Sequence, residues 1–436
     1  MAVLVTEVQS RSKPRLSHRA NVPMNPASVM KLVTTYAALD LLGPTFTWST
    51  PVYVDGAVRE GVLTGNVYIK GQGDPKLVSE RLWLLLRRLQ GLGIKTINGD
   101  IVLDRSAFEN VEIDPSLFDG EPLRPYNAAP DALLLNFKSL VMTFAPDRAR
   151  NLALVQTEPP LAGVQVSASV PLNNAPCTDY RGALRADFSD ATNIRFQGAY
   201  PASCGERAWP FAYADPKTFA ARAVEGMWRE IGGTLTGKVR EGNLPAGNGA
   251  ALKPAFEVAS PMLPEVIRDI NKFSNNVMAQ QLFLTLSLQS RAAVTGGPAT
   301  LAASRELVQR WWRNHLGEGD VPVLDNGSGL SRSERISAQG LAKMLQAAFA
   351  SPVMPELMSS LPITGLDGTL RGSKSKARGS AHLKTGTLRD VSAIAGYVLG
   401  ASGRRYVVVM LVNQPGAAAA RPAMDALVDW VANDRQ

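Results

Sequence analysis

Histidine is scarce in this chain of 436 residues. The three present, His18, His315 and His382, have no partners at metal-ligand spacing, so no metal centre or other cofactor is expected. Serine–histidine triad chemistry is disfavoured too, because no serine sits in a Gly-x-Ser-x-Gly elbow. Cysteine is nearly absent. Cys177 and Cys204 fall in polar, loop-like sequence; the even count suits one disulfide in an exported protein, with two unpaired structural cysteines as the alternative. Long apolar runs are missing, the longest being Tyr406 to Val412, far too short to span a bilayer. No charged segment followed by an apolar one opens the sequence, so any signal peptide is read as removed or never present.

What is there describes a globular protein, 45% hydrophobic and 19% charged, long enough for two or three domains. The net charge of +8 favours an anionic partner without naming it. Basic residues cluster only between Arg371 and Arg378, and no aromatic residue is interleaved there. That argues against nucleic acid and predicts a mobile, solvated loop.

Asn25 to Pro44 is the organising stretch. Pro26 sits where a first helical turn tolerates it, Gly43-Pro44 supplies the stop, and the residues between are apolar almost all round. A buried helix is expected, with Ser28 and Lys31 three apart on one face. A hydroxyl beside an amine in such surroundings is a candidate nucleophile and base. Ser-x-x-Lys also occurs at Ser10/Lys13 and Ser373/Lys376, in polar or basic sequence that would not keep a lysine dry.

Along the chain, residues 3–8 and 16–20 read as a hairpin before that helix. Short β segments follow from 48 to 72, then a helix from Leu77 to Leu92 and a strand from Ile94 to Leu103. Helix, glycines and strand recur at 216–240, hinting at a pseudo-repeat. The Pro-rich, strand-like stretch between holds both cysteines, and 241–253 reads as a linker. From Pro254 come helices at 261–271, 275–290, 298–315 and 338–350, strands at 382–385, 394–399 and 405–412, and a last helix at 421–434. The expected fold is an α+β core, residues 1–47 and 254–436, interrupted by a long insertion. Residues 48–147 with 213–253 form one inserted domain, and 148–212 a small β domain nested within it.

Two further stretches matter. Ser274-Asn275-Asn276 opens a long helix, where Ser274 alone would read as a helix cap. Lys384-Thr385-Gly386-Thr387 sits on a strand, where Lys384 alone would be an edge-strand lysine. Ser-x-Asn and Lys-Thr-Gly each occur once. Together with Ser28-x-x-Lys31, in this order, the set resembles the penicillin-recognising serine acyl-enzymes.

The 246 residues from Ser28 to Ser274 are too many for single-core members. They are similar to the class C low-molecular-mass penicillin-binding proteins, the D-alanyl-D-alanine carboxypeptidase/endopeptidase family, which carries extra domains between its first two motifs. Asp325-Asn-Gly-Ser-Gly-Leu-Ser-Arg332, Gly365-Leu-Asp-Gly-Thr-Leu370 and the Cys177/Cys204 pair also look like this family; Asn275 departs from its usual Asp. The resemblance implies a transpeptidase-like core of helical subdomain plus antiparallel sheet, with two smaller β-rich domains inserted. It implies an acyl-enzyme on Ser28, with Lys31 as base, Ser274 as proton relay, Asn276 holding Lys31 and a substrate amide, and Lys384 with Thr385 reading a carboxylate. The N–H groups of Ser28 and Thr387 would make the oxyanion hole, and the strand through Gly386 would pair with substrate.

Implied substrates are peptidoglycan stem peptides, with β-lactams as covalent inhibitors, in the periplasm; peripheral wall or membrane association is left open. Arg332 with Asp119 or Glu121 is read as contacting a charged stem side chain, against the alternative of surface salt bridges. A β-lactamase or esterase of the same superfamily, or a non-catalytic wall-binding protein, are the competing readings.

Overall fold

The apolar run Tyr406–Val412 is the middle of a strand buried on both faces, which needs cover from two layers. The structure, a computed structural model, describes residues 1–9, 13–110, 113–245, 252–292 and 296–435. Ser10, one of the three Ser-x-x-Lys serines, and part of the expected linker lie outside the described residues. The chain divides into two compact units. Unit 1 holds Met1–Trp48, Ala107–Glu109 and the chain from Pro261 onward; unit 2 holds Ser49–Ser106 and Asn110–Ser260.

In unit 1 the strands are β1 (Ala2–Glu7), β2 (Leu16–His18), β3 (Ala381–Leu388), β4 (Val391–Leu399) and β5 (Arg405–Asn413). They form one antiparallel sheet in the order β3-β4-β5-β1-β2, with Lys384 opposite Ala395 and Leu4 opposite Val409. The helices are α1 (Lys31–Leu42), α2 (Leu263–Lys272), α3 (Asn276–Ala292), α4 (Leu301–Leu316), α5 (Ala338–Ala350), α6 (Met354–Ser360) and α7 (Arg421–Ala432). On one face Tyr406, Val408, Met410 and Val412 pack with Met424, Val428 and Val431 of α7. Towards the other, Tyr397 donates to the Leu345 carbonyl of α5 at 2.7 Å.

A short 3-10 turn, Ala27–Met30, leads into α1, whose residues Lys31 to Leu39 are all buried. Its surroundings are other helices: Asn271 of α2 reaches Thr35 at 3.3 Å, and Trp311 of α4 donates to Asp40 at 2.7 Å. A nine-residue helical stretch with no wet face, Lys31 to Leu39, needs such neighbours. The chain leaves α1 at Gly43, φ +78°, the left-handed exit that glycine allows.

Unit 2 contains a seven-stranded sheet, a five-stranded sheet and a three-stranded one. The two helix–glycine–strand segments lie side by side, their strands parallel with Thr234 opposite Thr96 and Val239 opposite Ile101. Strand Ser139–Asp147 pairs with both Leu152–Glu158 and Arg207–Ala212, so one sheet runs across the expected boundary at 148. Phe256–Ala259 pairs with Ser49–Arg59, which carries unit 2 past residue 254; a four-residue strand has too little pattern to announce a partner two hundred residues away. Cys177 and Cys204 are joined in a disulfide, Cα to Cα 4.8 Å.

One loop corrects the sequence reading. The basic segment 371–379 is docked, not free: Ser373 donates to Asp425 and Ser375 to Asp429, while the N–H groups of Lys376 and Ala377 also point to Asp429. Two α7 carboxylates four residues apart grip it, a complement the local charge run cannot reveal.

Candidate active site

Ser28 lies half-buried in the 3-10 turn, and the Lys31 side chain, one turn on, is completely buried. Lys31 Nζ stands 3.0 Å from Ser28 Oγ. It also donates to Asn276 Oδ1 at 2.6 Å and to the Ser328 carbonyl. Both of those oxygens are acceptors only, so they take two hydrogens of the amine and leave its third position facing the serine. Burial and the charge of Lys384 hold the Lys31 ammonium well below the ordinary lysine range, with Glu334 pulling the other way.

Asn276 arrives on the first residue of α3. The residue before that helix, Asn275, caps it by accepting from the Met278 N–H at 3.0 Å. Ser274 is therefore not the cap. It sits in the left-handed region at φ +57°, a conformation that costs a non-glycine residue energy, in the elbow between α2 and α3. Its hydroxyl accepts from Lys384 Nζ at 2.9 Å. Lys384 also donates to the Thr385 carbonyl at 2.8 Å, and burial lowers its pKa to about 7.

The elbow is anchored from below. Lys272, 4% exposed, pairs with Asp367 at 2.6 Å, and Asp367 also accepts from the Ile363 N–H. Thr369 of the same loop meets the Thr385 hydroxyl at 2.7 Å. Strand β3 passes close to the 3-10 turn, which is why position 386 is glycine. A Cβ there would lie 2.4 Å from the Pro26 carbonyl oxygen and 3.1 Å from the Ser28 nitrogen.

The structure thus brings together Ser28, Lys31, Ser274, Asn276 and Lys384, with Thr385, Gly386 and Thr387 on the adjoining strand. Arg332 is exposed, four residues beyond the Ser328 carbonyl that holds Lys31. Asp119 and Glu121 belong to unit 2 and are exposed there. Asp119 accepts from Tyr126 and Asn127, both at 2.8 Å, and Glu121 faces Arg124 at 3.4 Å.

Two contributors escaped the sequence. Asn25 braces the turn before Ser28, accepting from the Ala27 N–H at 2.8 Å and donating to the Ser331 carbonyl at 2.9 Å. Ser328 acts through its backbone. No residue-type signal marks a carbonyl, although the Gly-Ser-Gly around it marks an unusual path: Gly327 and Gly329 have φ +73° and +81°.

The family model for the D-Ala-D-Ala carboxypeptidase 3 (S13) family matches residues 1–434. The chain belongs to this family. As an S13 member it is a serine-type D-Ala-D-Ala carboxypeptidase with a mixed α+β fold. A D-alanyl-D-alanine carboxypeptidase from Actinomadura sp. (strain R39) is 29% identical over 393 residues, 87% of this chain and 71% of that protein. Solved structures share the fold. Penicillin binding protein 4 (dacB) from Haemophilus influenzae matches with a TM-score of 0.75 at 23% identity, over 98% of this chain and 96% of that one. A predatory endopeptidase from Bdellovibrio bacteriovorus, in complex with an immunity protein, matches with a TM-score of 0.58 at 16% identity, over 100% and 93%. Among the described residues no helix is long and apolar enough to cross a membrane, and no cluster of ligating side chains suits a metal ion.

Proposed function

We propose that Ser28 is the nucleophile and Lys31 its general base in the cleavage of D-alanyl-D-alanine bonds of peptidoglycan stem peptides. The observation that carries this is the Lys31 amine, with two hydrogens committed to carbonyl oxygens and its remaining position 3.0 Å from Ser28 Oγ. Ser28 Oγ attacks the carbonyl carbon of the penultimate D-alanine as its proton passes to Lys31 Nζ. The oxyanion is met by the N–H groups of Ser28 and Thr387. Ser274 gives its hydroxyl proton to the departing amine nitrogen and is reprotonated from the lysine side. The C–N bond breaks and leaves an ester on Ser28, which water then hydrolyses.

Lys384 and Thr385 receive the terminal carboxylate, an anion that restores the proton Lys384 is poised to lose. β3 is the outer strand of its sheet; residues 362–364 pair with its Ala381–Leu383 end, and the edge beyond, at Thr385 and Thr387, suits an extended peptide. A cross-linked stem differs only in its leaving amine, and endopeptidase cleavage follows from the same acyl-enzyme. β-Lactams would acylate Ser28 in the same way. Arg332 is the cation for a stem side-chain carboxylate; the proposed chemistry does not use Asp119 or Glu121. The compartment that fits this substrate is the periplasm.

Incubation with a labelled penicillin followed by intact-mass analysis, alongside D-alanine release from purified monomeric and cross-linked muropeptides, tests the reading. A lasting adduct absent from Ser28→Ala, together with D-alanine release, is expected. Rapid release of the adduct would indicate a lactamase, and neither adduct nor turnover would overturn the proposal. If Arg332→Ala changed the turnover of peptides with and without the charged stem side chain equally, its assigned role would fail.

A further inference from the structure

Glu334 lies outside the motifs used so far, yet its side chain is completely buried (0% exposed). One oxygen, Oε1, accepts from three consecutive backbone N–H groups, those of Asp325, Asn326 and Gly327, at 3.1, 3.2 and 3.0 Å. The other, Oε2, has no hydrogen-bond partner among the described residues. The backbone gripped in this way runs directly onto α1. The Gly327 carbonyl accepts from Thr34 Oγ1 at 2.6 Å, and the next carbonyl, Ser328, accepts from Lys31 Nζ. Thr34 and Lys31 are three apart, on one face of the helix. Ser328 is one of the two acceptors that turn the free position of the amine towards Ser28, so whatever fixes residues 325–328 also aims Lys31.

We propose that Glu334 is a positioning residue for the acylation step: it holds the 325–328 backbone, and with it the Ser328 carbonyl, against α1, and from behind that backbone its negative charge favours the Lys31 ammonium formed when the Ser28 proton arrives. The inference rests on the Ser28–Lys31 reading above. No proton moves to Glu334 in that step; the carboxylate acts on Lys31 through the backbone it grips and through its field, not by direct contact.

Other charges act on both groups. Lys384 of β3 opposes a charge on Lys31, while Asp325 of the gripped loop, itself 3.5 Å from Arg305 of α4, opposes a charge on Glu334. Burial pushes Glu334 up to about 7 and the three N–H groups draw it down.

The test is the second-order rate of acylation by a chromogenic β-lactam from pH 5 to 10, for wild type, Glu334→Gln and Glu334→Asp. Melting temperatures are measured in parallel. Glutamine keeps an acceptor oxygen for the three N–H groups but removes the charge. Its acidic limb should move to lower pH by about one unit, with the plateau within about threefold of wild type. Aspartate keeps the charge but is one methylene short of the loop. Its plateau should fall about tenfold while its acidic limb stays in place.

An acidic limb in folded Glu334→Gln that overlays wild type overturns the electrostatic role, and an aspartate plateau equal to wild type overturns the positioning role. If glutamine does not fold, the aspartate plateau and limb decide. Failure of wild type itself to be acylated would sink the Ser28 reading, a result distinct from either variant outcome.

Discussion

Lys31 and Lys384 are both fully buried, and burial disfavours the charged form of each, with opposite uses in the proposed mechanism. Lys31, as the proposed base, would be useful when neutral, because only a free lone pair can take a proton from Ser28. Its replacement by alanine should slow penicillin acylation by about 10³-fold or more, the range expected for loss of a general base, with the fold retained in circular dichroism. Lys384, as the proposed receiver of a carboxylate, would be useful when charged. With a pKa of about 7 in the free protein, it should bind carboxylate-terminated peptides more tightly as pH falls from 8 to 6, which titration calorimetry would show. Linkage gives the stability side. Between about 7 and the ordinary lysine value the unfolded chain holds a proton that folded Lys384 has shed, so stability rises with pH across that window. Below about 7 the full penalty is present, on the order of a few kcal/mol. Lys384→Met should therefore melt higher than wild type at pH 7, with the difference shrinking towards pH 10. A gap independent of pH would contradict the assignment.

At the scale of elements, the site is three chain segments pressed together, and one missing Cβ permits the closest approach. Gly386→Ala would place a methyl group 2.4 Å from the Pro26 carbonyl oxygen, a backbone atom that cannot rotate away. β3 must then retreat from Ser28. A displacement near 1 Å should cost about 10²-fold in acylation rate while lowering the melting temperature only modestly. The α2–α3 elbow is the second junction. Asn275→Ala removes the cap of α3 at a cost of about 1 kcal/mol, and because Ser274 precedes it in the left-handed region, acylation should fall alongside stability. These elements were legible in the sequence because each motif is local. Ser28-x-x-Lys31 needs only one turn of helix, and Lys384-Thr385-Gly386 needs only one strand. What holds them was not legible. The grip of Glu334 on three N–H groups, the Ser328 carbonyl and the α7 carboxylates that dock residues 371–379 depend on partners whose side-chain types say nothing about the match. Among helices, α6 went unread: seven residues give a period-3.6 pattern too little length to register.

At the scale of the whole chain, every member of the Ser28 constellation lies in unit 1, although unit 2 separates Ser28 from Ser274 in sequence. The interruption was readable from the distance between motifs. Its interior was read less well, because a five-stranded sheet assembled from Ser139–Asp147, Leu152–Glu158 and later strands ignores the boundary that composition suggested. The disulfide belongs to unit 2 alone, closing a sequence separation of 27 residues. A loop of that length, opened by Cys177→Ala with Cys204→Ala, should cost unit 2 about 3 to 4 kcal/mol in the chain-entropy account. Scanning calorimetry should then show a transition moved to lower temperature. None of the residues that contact Lys31 or Lys384 changes, so at 25 °C the acylation rate at Ser28 should stay within about twofold of wild type. Loss of acylation in the double variant, at a temperature where circular dichroism shows both units folded, would mean that the insertion governs the chemistry of a unit to which it contributes no catalytic side chain.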